Sequence, residues 1–434
     1  MLAARKVKAA AKKAKAAADK TDKMRRPVLY TLTSGLHTGM IPDARQEPFI
    51  REIEAALGVP FDCRGADFSS YGQEDVLELI YVRTGGTEGL FLEQLGANSF
   101  NHNIFLLTSG LSNSLAASME ILSWLRQRGI DGEILHGSTD GIVDRIRTLL
   151  TSGQSAAAAG PQPDSRIEPY SFGRILAGKR FGVIGRPSDW LISSGVDYAA
   201  VREALGAELV DIPIRELVEE AARGGGEPPF ALQALNAPRY GRKLDADDWQ
   251  GALAIYGALK RLAGRYRLDG LTLRCFDLLT ALHNTGCLGL AILNAEGITA
   301  TCEGDIPAML SMAVARERTG RASFQVNLSR IQGDRLLFAH CTVPLSIVRG
   351  YCYDTHFESG IGVAVHGELP EGPVTLFKLS PDGRRMFRQE ARLVANSYGD
   401  KLCRTQVVVE APGAAGYFLR TPIGNHHIIV PGKL

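Results

Sequence analysis

The sequence lacks any run of about 20 consecutive apolar residues, the length that an α-helix needs to cross a bilayer. Its seven cysteines show no C-x-x-C spacing, so neither a structural zinc site nor a disulfide framework is indicated. No G-x-G-x-x-G pattern follows a predicted strand, which argues against a dinucleotide-binding site. We therefore expect a cytoplasmic globular protein that does not interact with a membrane.

Net positive charge is confined to the first 26 of the 434 residues. Residues 1–26 form an Ala/Lys-rich tail with ten basic and two acidic side chains, a net charge of +8. The rest of the chain has 39 basic and 45 acidic side chains, a net charge of −6, so we do not expect it to bind nucleic acid. The tail has no aromatic residue and few large apolar ones, a composition typical of a disordered segment.

From residue 27 to 150, short apolar runs alternate with segments of helical periodicity. Val28–Leu32 and Ile104–Thr108 are predicted strands, and Leu111–Gln127 is a predicted helix. Such alternation is typical of an α/β domain with a parallel sheet. Residues 151–165 then read TSGQSAAAAGPQPDS, a run of small residues, Gly and Pro that predicts a linker.

A second α/β domain is predicted for residues 166–300, where apolar runs again alternate with helices. After a further predicted helix the periodicity changes to two, which indicates antiparallel strands in a C-terminal domain, residues 301–434. This β-rich domain is expected to be a barrel or a sandwich. Its predicted strands are Ser323–Leu328, Arg335–His340, Gly362–Glu368, Val374–Leu379, Thr405–Glu410 and His427–Val430.

Histidine is concentrated in the same part of the chain, since six of the nine histidines follow residue 280. His340 ends an apolar strand, and His426 lies within the run 424–427 just before another strand. Packing alone explains these two contexts poorly, and a buried structural histidine is the alternative at each position.

An acidic pair lies in the run 302–305, Cys-Glu-Gly-Asp, between a predicted strand and a predicted helix. The carboxyl ends of strands are where α/β proteins commonly bind ligands. Asp305 precedes a helix with Pro307 in its first turn, so its predicted role is the N-cap. Glu303 has no capping role of that kind and is either a surface carboxylate or a ligand.

Residues 302–344, CEGDIPAMLSMAVARERTGRASFQVNLSRIQGDRLLFAHCTVP, together with Gly424-Asn425-His426, resemble the metal-dependent L-fucose and L-arabinose isomerase superfamily. The likeness is greater to its smaller fucose-isomerase-like members, and it covers about the last third of the chain. It implies two α/β parallel-sheet layers followed by an antiparallel β-barrel, the order that periodicity also indicates. It further implies a homo-oligomer, a trimer or hexamer, with pockets near the subunit contacts.

The resemblance also implies a set of metal ligands. Glu303 matches the first metal-binding glutamate of the family's E-G-D motif, His340 its strand-end histidine, and His426 the histidine of its G-N-H motif. The family's second acidic ligand falls on Asn327, 24 positions after Glu303, and this is a departure from the pattern. Asn keeps a ligating carbonyl oxygen but cannot be a base. Such mixed oxygen and imidazole ligands suit Mn²⁺, with Mg²⁺, Co²⁺ or Zn²⁺ as alternatives.

These residue types suit the isomerisation of an aldose to a ketose through a cis-enediol. A divalent ion polarises the carbonyl of the sugar, and a carboxylate moves protons as general base and acid. With Asn327 in the second acidic position, Glu303 is the principal candidate base. The alternatives are an epimerase or lyase on the same scaffold, which Asn327 favours, and a non-catalytic sugar-binding protein.

Arg274 and Trp190 are weaker candidates for contacts with the sugar substrate. Arg274 ends a strand-like run where the second α/β layer is expected to meet the barrel, and Trp190 lies in the loop after the strand Arg180–Ile184. Structural packing is the alternative for both. Cys302 and Cys341 are adjacent to proposed ligands, but strand alternation predicts that they turn away as buried thiols.

Overall fold

The computed structural model describes residues 25–35, 37, 42–95, 103–152, 164, 166–232, 244–399 and 401–434. The predicted disordered tail, apart from Arg25 and Arg26, and most of the predicted linker lie outside these ranges. Across the described residues, two parallel α/β sheets are followed by a closed antiparallel barrel of six strands. None of the helices in these ranges is long and apolar enough to cross a membrane.

The first layer is a five-stranded parallel sheet. Its strands are β1 Pro27–Leu32, β2 Asp62–Gly65, β3 Leu77–Val82, β4 Ile104–Leu107 and β5 Gly132–Leu135. They follow the order β2-β1-β3-β4-β5. Between them lie a 3-10 turn Ala44–Gln46 and the helices α1 Pro48–Leu57, α2 Glu88–Leu95, α3 Ser114–Gln127 and α4 Thr139–Ser152.

Every residue of β1, β3 and β4 is buried because helices cover both faces of this sheet. Alternate residues of β1 pack in opposite directions: Tyr30 lies in the core formed with α3, and Leu29 in the core formed with α1 and α4. This explains why these strands are continuous apolar runs in the sequence, as expected for a parallel sheet inside two helical layers.

The second layer is a four-stranded parallel sheet in the order β10-β9-β7-β8. Its strands are β7 Arg180–Ile184, β8 Glu208–Ile212, β9 Gly270–Leu273 and β10 Thr299–Cys302; the short strand β6, Ile167–Pro169, precedes them. The helices of this region are α5 Tyr198–Leu205, α6 Ile214–Ala221, α7 Ala246–Tyr266, α8 Asp277–Ala281, α9 Cys287–Glu296 and α10 Ile306–Thr319. The boundary predicted between residues 300 and 301 falls inside β10.

Six antiparallel strands close the barrel in the order β15-β18-β11-β12-β17-β16, with β16 pairing back to β15. Strand β6 adds to the outside of β16, so a strand from the predicted second domain belongs to the barrel sheet. The bounds are β11 Phe324–Gln332, β12 Arg335–His340, β13 Gly350–Asp354, β14 Ala364–Glu368, β15 Gly372–Leu379, β16 Arg385–Ser397, β17 Thr405–Glu410 and β18 His427–Pro431. Strands β13 and β14 form a separate hairpin, and helix α11, Ala415–Arg420, precedes β18.

Helix α10 joins the second layer to the barrel. Its first ten residues, 306–315, are buried. They share one hydrophobic core with Phe181 of β7, Leu205 of α5 and Ile428 of β18. The start of α10 is therefore held rigidly at the junction of sheet and barrel, next to the run 302–305.

His136 connects the first layer to the barrel and makes stability depend on pH. The backbone N–H of Ile331 donates to Nε2 of His136 at 3.1 Å, so Nδ1 carries the proton and donates to the Thr108 carbonyl at 3.1 Å. This geometry requires a neutral ring, and burial lowers the pKa of His136 to about 4. The neutral form is favoured in the native state, so its stabilisation is present above pH 6.5 and is lost as the pH falls towards 4.

We expect the free energy of unfolding to fall by about 1 to 2 kcal/mol through His136 between pH 6.5 and 4, a range that allows for its partial exposure. Urea denaturation of the wild type and of His136→Gln at pH 7 and pH 5 checks this. The variant should lose less stability on acidification than the wild type. Equal losses would contradict the assignment of this pH dependence to His136.

Candidate metal centre

The turn from β10 into α10 presents Glu303. Glu303 and Gly304 both adopt left-handed backbone conformations, with φ of 65° and 69°. A Cβ on Gly304 would lie 2.5 Å from the carbonyl oxygen of Arg186, so glycine is required for space as well as for conformation. The N–H of Ser188 donates to the Glu303 carbonyl at 3.0 Å, which fastens the turn to the loop after β7.

Glu303, His340 and His426 lie together although they are far apart in the chain. One potential ligand atom from each lies within 4.8 Å of the others. Glu303 follows the second sheet, His340 ends β12, and His426 immediately precedes β18. His340 is 3% exposed and His426 is fully buried, and their rings meet edge to face with centroids 5.5 Å apart.

Asp305 orients the His426 ring. Nδ1 of His426 donates to Oδ2 of Asp305 at 2.9 Å, which leaves Nε2 directed at Oε1 of Glu303, 3.4 Å away. Asp305 also accepts from the N–H of Ala308 at 2.6 Å, which confirms its predicted role as the N-cap of α10. Its third contact is an ion pair of 3.5 Å with the buried ammonium of Lys378. A carboxylate behind a histidine is the usual arrangement for fixing the tautomer of a metal ligand.

The three clustered groups shift one another's pKa through their charges. Burial lowers the pKa of His426, but Glu303 and Asp305 outweigh it and raise this pKa to about 10. Burial raises the pKa of Glu303, but His426, His340 and the Trp190 indole hold it below its usual value. Burial and the neighbouring His426 lower the pKa of His340 to about 4. The cluster thus combines one carboxylate, one neutral imidazole and one imidazole that binds a proton tightly.

The donor set fits a divalent metal ion. Among the described residues, Nε2 of His426 is a buried atom without a hydrogen-bond partner, and its nearest charged group is Glu303 at 3.4 Å. Oδ1 of Asn327, which lines a cavity together with Glu303, also lacks a partner. Buried polar atoms without a hydrogen bond are costly, and a cation at the cluster would satisfy Nε2 of His426. Carboxylate and imidazole groups are ligands that first-row divalent ions accept, so Glu303, His340 and His426 could hold such an ion.

A cavity of about 50 Å³ opens beside these groups and is lined by Glu303, Asn327, Trp190 and residues of the first layer. Nε1 of Trp190 donates to Oε2 of Glu303 at 2.6 Å, and the indole packs edge-on against Phe276 with centroids 4.9 Å apart. The predicted aromatic wall is therefore placed at the cavity. It also holds one oxygen of the carboxylate.

Arg274 is not among the residues that line this cavity. Its guanidinium donates to Asp189 at 2.6 Å, to Asp277 at 2.9 Å and to the Pro187 carbonyl at 2.7 Å. Arg274 thus braces the loop that carries Trp190. A direct contact with substrate stays a prediction.

Three residues that are adjacent in sequence to a potential ligand make other contacts: Cys302, Cys341 and His427. Cys302 and Cys341 are buried free thiols, and Sγ of Cys302 contacts Sγ of Cys275 at 2.7 Å. Nε2 of His427 hydrogen-bonds with the Tyr417 hydroxyl at 2.8 Å, among aromatic rings. None of these three side chains belongs to the described cluster of potential ligands.

The sequence did not indicate Glu120, a fully buried carboxylate on α3 that joins two loops of the site. Its Oε1 accepts from the N–H of Ser193 at 2.7 Å and its Oε2 from the N–H of Asn425 at 2.9 Å. The first contact holds the loop of Trp190, and the second holds the residue before His426. Burial raises the pKa of Glu120, as expected for a carboxylate satisfied chiefly by neutral donors.

Replacing Glu120 with Gln is expected to weaken metal binding by about 10- to 100-fold, since the amide keeps one acceptor oxygen where two are used. The free energy of unfolding should fall by about 2 kcal/mol through the unpaired donor. Titration with Mn²⁺ and urea denaturation measure the two effects. The exposed Glu52 of α1 provides the control variant Glu52→Gln. If Glu120→Gln binds metal as tightly as the wild type, the two loops do not depend on the Glu120 carboxylate.

No protein family model matches the chain. Over 222 residues, 48% of this chain, it is 26% identical to a protein named sulfoquinovose isomerase from Priestia aryabhattai and to another so named from Priestia megaterium. Over 286 residues it is 24% identical to the sulfoquinovose isomerase of a Clostridium species, covering 62% of this chain and 57% of that protein. The chain thus spans about half the length of the curated relatives it matches. These distant relatives are sugar isomerases by name.

Proposed function

We propose that this protein is a metal-dependent aldose–ketose isomerase that acts on a free or substituted sugar through a cis-enediol. The observation that supports the proposal is the cluster of Glu303, His340 and His426 beside a cavity, where Nε2 of His426 and Oδ1 of Asn327 are buried without a hydrogen bond. The names of the distant relatives support the same reaction class and make sulfoquinovose, a sulfonated aldose, the first substrate to test.

Glu303, Asn327, His340 and His426 would hold the divalent ion, most suitably Mn²⁺. When bound, such an ion polarises the carbonyl of the sugar and stabilises negative charge on neighbouring oxygens. Asp305 keeps Nε2 of His426 directed at the ligand cluster, and Trp190 holds Oε2 of Glu303. Trp190 also supplies an apolar wall that excludes water from the sugar.

Isomerisation requires two proton transfers, one between C2 and C1 and one between the oxygens O2 and O1. Glu303 belongs to the ligand cluster, where the substrate oxygens would bind, and it would carry a proton from O2 to O1. A carboxylate within hydrogen-bond reach of both oxygens can accept the proton from O2 and donate the same proton to O1.

The proposal is tested by metal analysis and a substrate panel. Protein purified without chelator should contain about one divalent ion per chain, and EDTA should remove both the ion and the activity. Added Mn²⁺ should restore ketose formation from at least one aldose in a panel that includes sulfoquinovose. The proposal would be refuted if the protein contained no metal when purified and formed no ketose from any aldose of the panel after Mn²⁺ was added.

Asn327 supports a second candidate, an epimerase or lyase that uses the same enediol differently. A neutral Asn lowers the anionic charge around the ion and alters how a substrate chelates it. Substituting Asp at this position, Asn327→Asp, should raise isomerase activity if the protein is an isomerase. Formation of an epimer or a cleavage product by the wild type would favour the second candidate.

A further inference from the structure

A second carboxylate faces the cavity from the loop between β13 and β14. Glu358 lines the cavity together with Glu303 and Asn327, although 55 residues separate it from Glu303 in the sequence. It lies in the C-terminal part of the chain, whereas its neighbour Asn113 immediately precedes α3 in the first layer. Nδ2 of Asn113 donates to Oε1 of Glu358 at 2.8 Å, so the carboxylate is held across the cavity.

The loop that carries Glu358 is tightly constrained. The N–H of Gly360 donates to the His356 carbonyl at 2.8 Å, and Nδ1 of His356 hydrogen-bonds with Ser359 at 3.0 Å. Gly362 has φ of 64°, and a Cβ there would lie 2.7 Å from the backbone nitrogen of Thr285. The position of Glu358 is therefore set by the backbone and by packing.

The surroundings of Glu358 favour a proton-accepting group. Glu358 is half-buried, and no Lys or Arg is among the described residues that line the cavity. Burial raises its pKa, His356 opposes the rise, and Glu303 adds to it. A carboxylate with a raised pKa is a stronger base than one in water.

Three other residues with polar functional groups that line the cavity are His37, Asn327 and Glu303. Nδ1 of His37 is hydrogen-bonded with the Ser34 hydroxyl at 2.9 Å. Asn327 has no titratable proton. Glu303 has one oxygen bound by the Trp190 indole and the other 3.4 Å from His426, within the ligand cluster. Two separate proton transfers are best served by two acid–base groups, and Glu358 is the second carboxylate among the described residues that line the cavity.

We propose that Glu358 is the catalytic residue that carries the proton from C2 to C1, an assignment that rests on the proposed isomerase function. The Glu358 carboxylate takes the proton from C2, the C2–H electron pair forms the C1–C2 double bond, and the C1–O1 π electron pair moves to O1, which takes up the proton that Glu303 has accepted from O2. The electron pair left on O2 then forms the C2 carbonyl, and the electron pair of the double bond takes up the proton from Glu358 at C1. Both Glu303 and Glu358 return to their starting protonation states, so no further reactant is needed.

The test compares Glu358→Gln with the wild type on the aldose of the panel that the wild type converts fastest, deuterated at C2. Glu358→Gln should lower kcat by about 100- to 1000-fold, the range for loss of a general base, with KM changed by less than about fivefold. Deuterium should stay at C2 in NMR spectra of the variant reaction. Metal content and the thermal midpoint should match those of the wild type.

Two more variants keep the test decisive. Glu358→Asp keeps a carboxylate and should recover part of kcat, which a structural role would not predict. The exposed Glu371 provides the control Glu371→Gln, with full activity expected. If the wild type is active and the kcat of Glu358→Gln lies within about threefold of the wild-type value, the assignment of Glu358 is wrong. If the wild type converts no aldose, the proposed function has failed, and the assignment of Glu358 fails with it.

Discussion

Replacing Glu303 with Gln is expected to weaken Mn²⁺ binding by at least about 100-fold and to lower kcat/KM by about 1000-fold. Glu303 is the only carboxylate in the described cluster of three potential ligands, so the variant leaves the cluster with two imidazoles and no negative charge. Gln keeps the shape of the side chain and an acceptor for the Trp190 indole. The loss would therefore follow from the charge.

The measurements are isothermal titration with Mn²⁺ and initial rates at saturating metal. Glu208→Gln is a matched control, because Glu208 lies on the edge strand β8 and its side chain is 44% exposed. The control should bind Mn²⁺ as the wild type does. If the Glu303→Gln protein binds Mn²⁺ with wild-type affinity, Glu303 is not a metal ligand.

Replacing Asp305 with Asn is expected to lower the free energy of unfolding by about 3 to 5 kcal/mol, the usual result of breaking a buried ion pair. Asp305 is fully buried and Lys378 is 1% exposed, so the variant leaves an ammonium ion in the core without its carboxylate. The amide can still cap α10 through its oxygen. Its NH₂ group would face two donors, Lys378 and Nδ1 of His426.

A double variant separates the charge from the remaining contacts. Adding Lys378→Met to Asp305→Asn removes the uncompensated charge and should restore most of the lost stability in urea denaturation. Metal affinity should stay low in both proteins, because the ring of His426 has lost its carboxylate. If Asp305→Asn is as stable as the wild type, Lys378 does not depend on this ion pair.

Much of the fold could be predicted because its elements carry strong local patterns. Strands β12 and β17 have the predicted bounds, since each alternates or runs apolar between clear turn residues. Strand β16, RMFRQEARLVANS, was not predicted because many of its side chains are charged or polar and only partly buried in the barrel. Helix α9 was also not predicted, because it is nearly all buried and has no polar face.

The candidate site was predictable only in part. Glu303, His340 and His426 are marked in the sequence by strand ends and by a resemblance to short motifs. Glu120 and Glu358 carry no such mark, because their partners lie far along the chain: Asn425 is 305 positions after Glu120, and Asn113 is 245 positions before Glu358. Hydrogen bonds between distant segments follow from topology, which local patterns do not encode.

The sequence by itself determined the order of two parallel sheets followed by antiparallel strands, the capping of α10 by Asp305, and the concentration of histidine after residue 280. These properties depend on periodicity and on neighbours within a few residues. The tertiary structure decided which side chains share one cavity. It directed Arg274 to Asp189 and Asp277, placed Trp190 on Glu303, and brought Glu358 to the same cavity. Only the packing of the first layer, the second sheet and the barrel against one another brings these groups within contact distance.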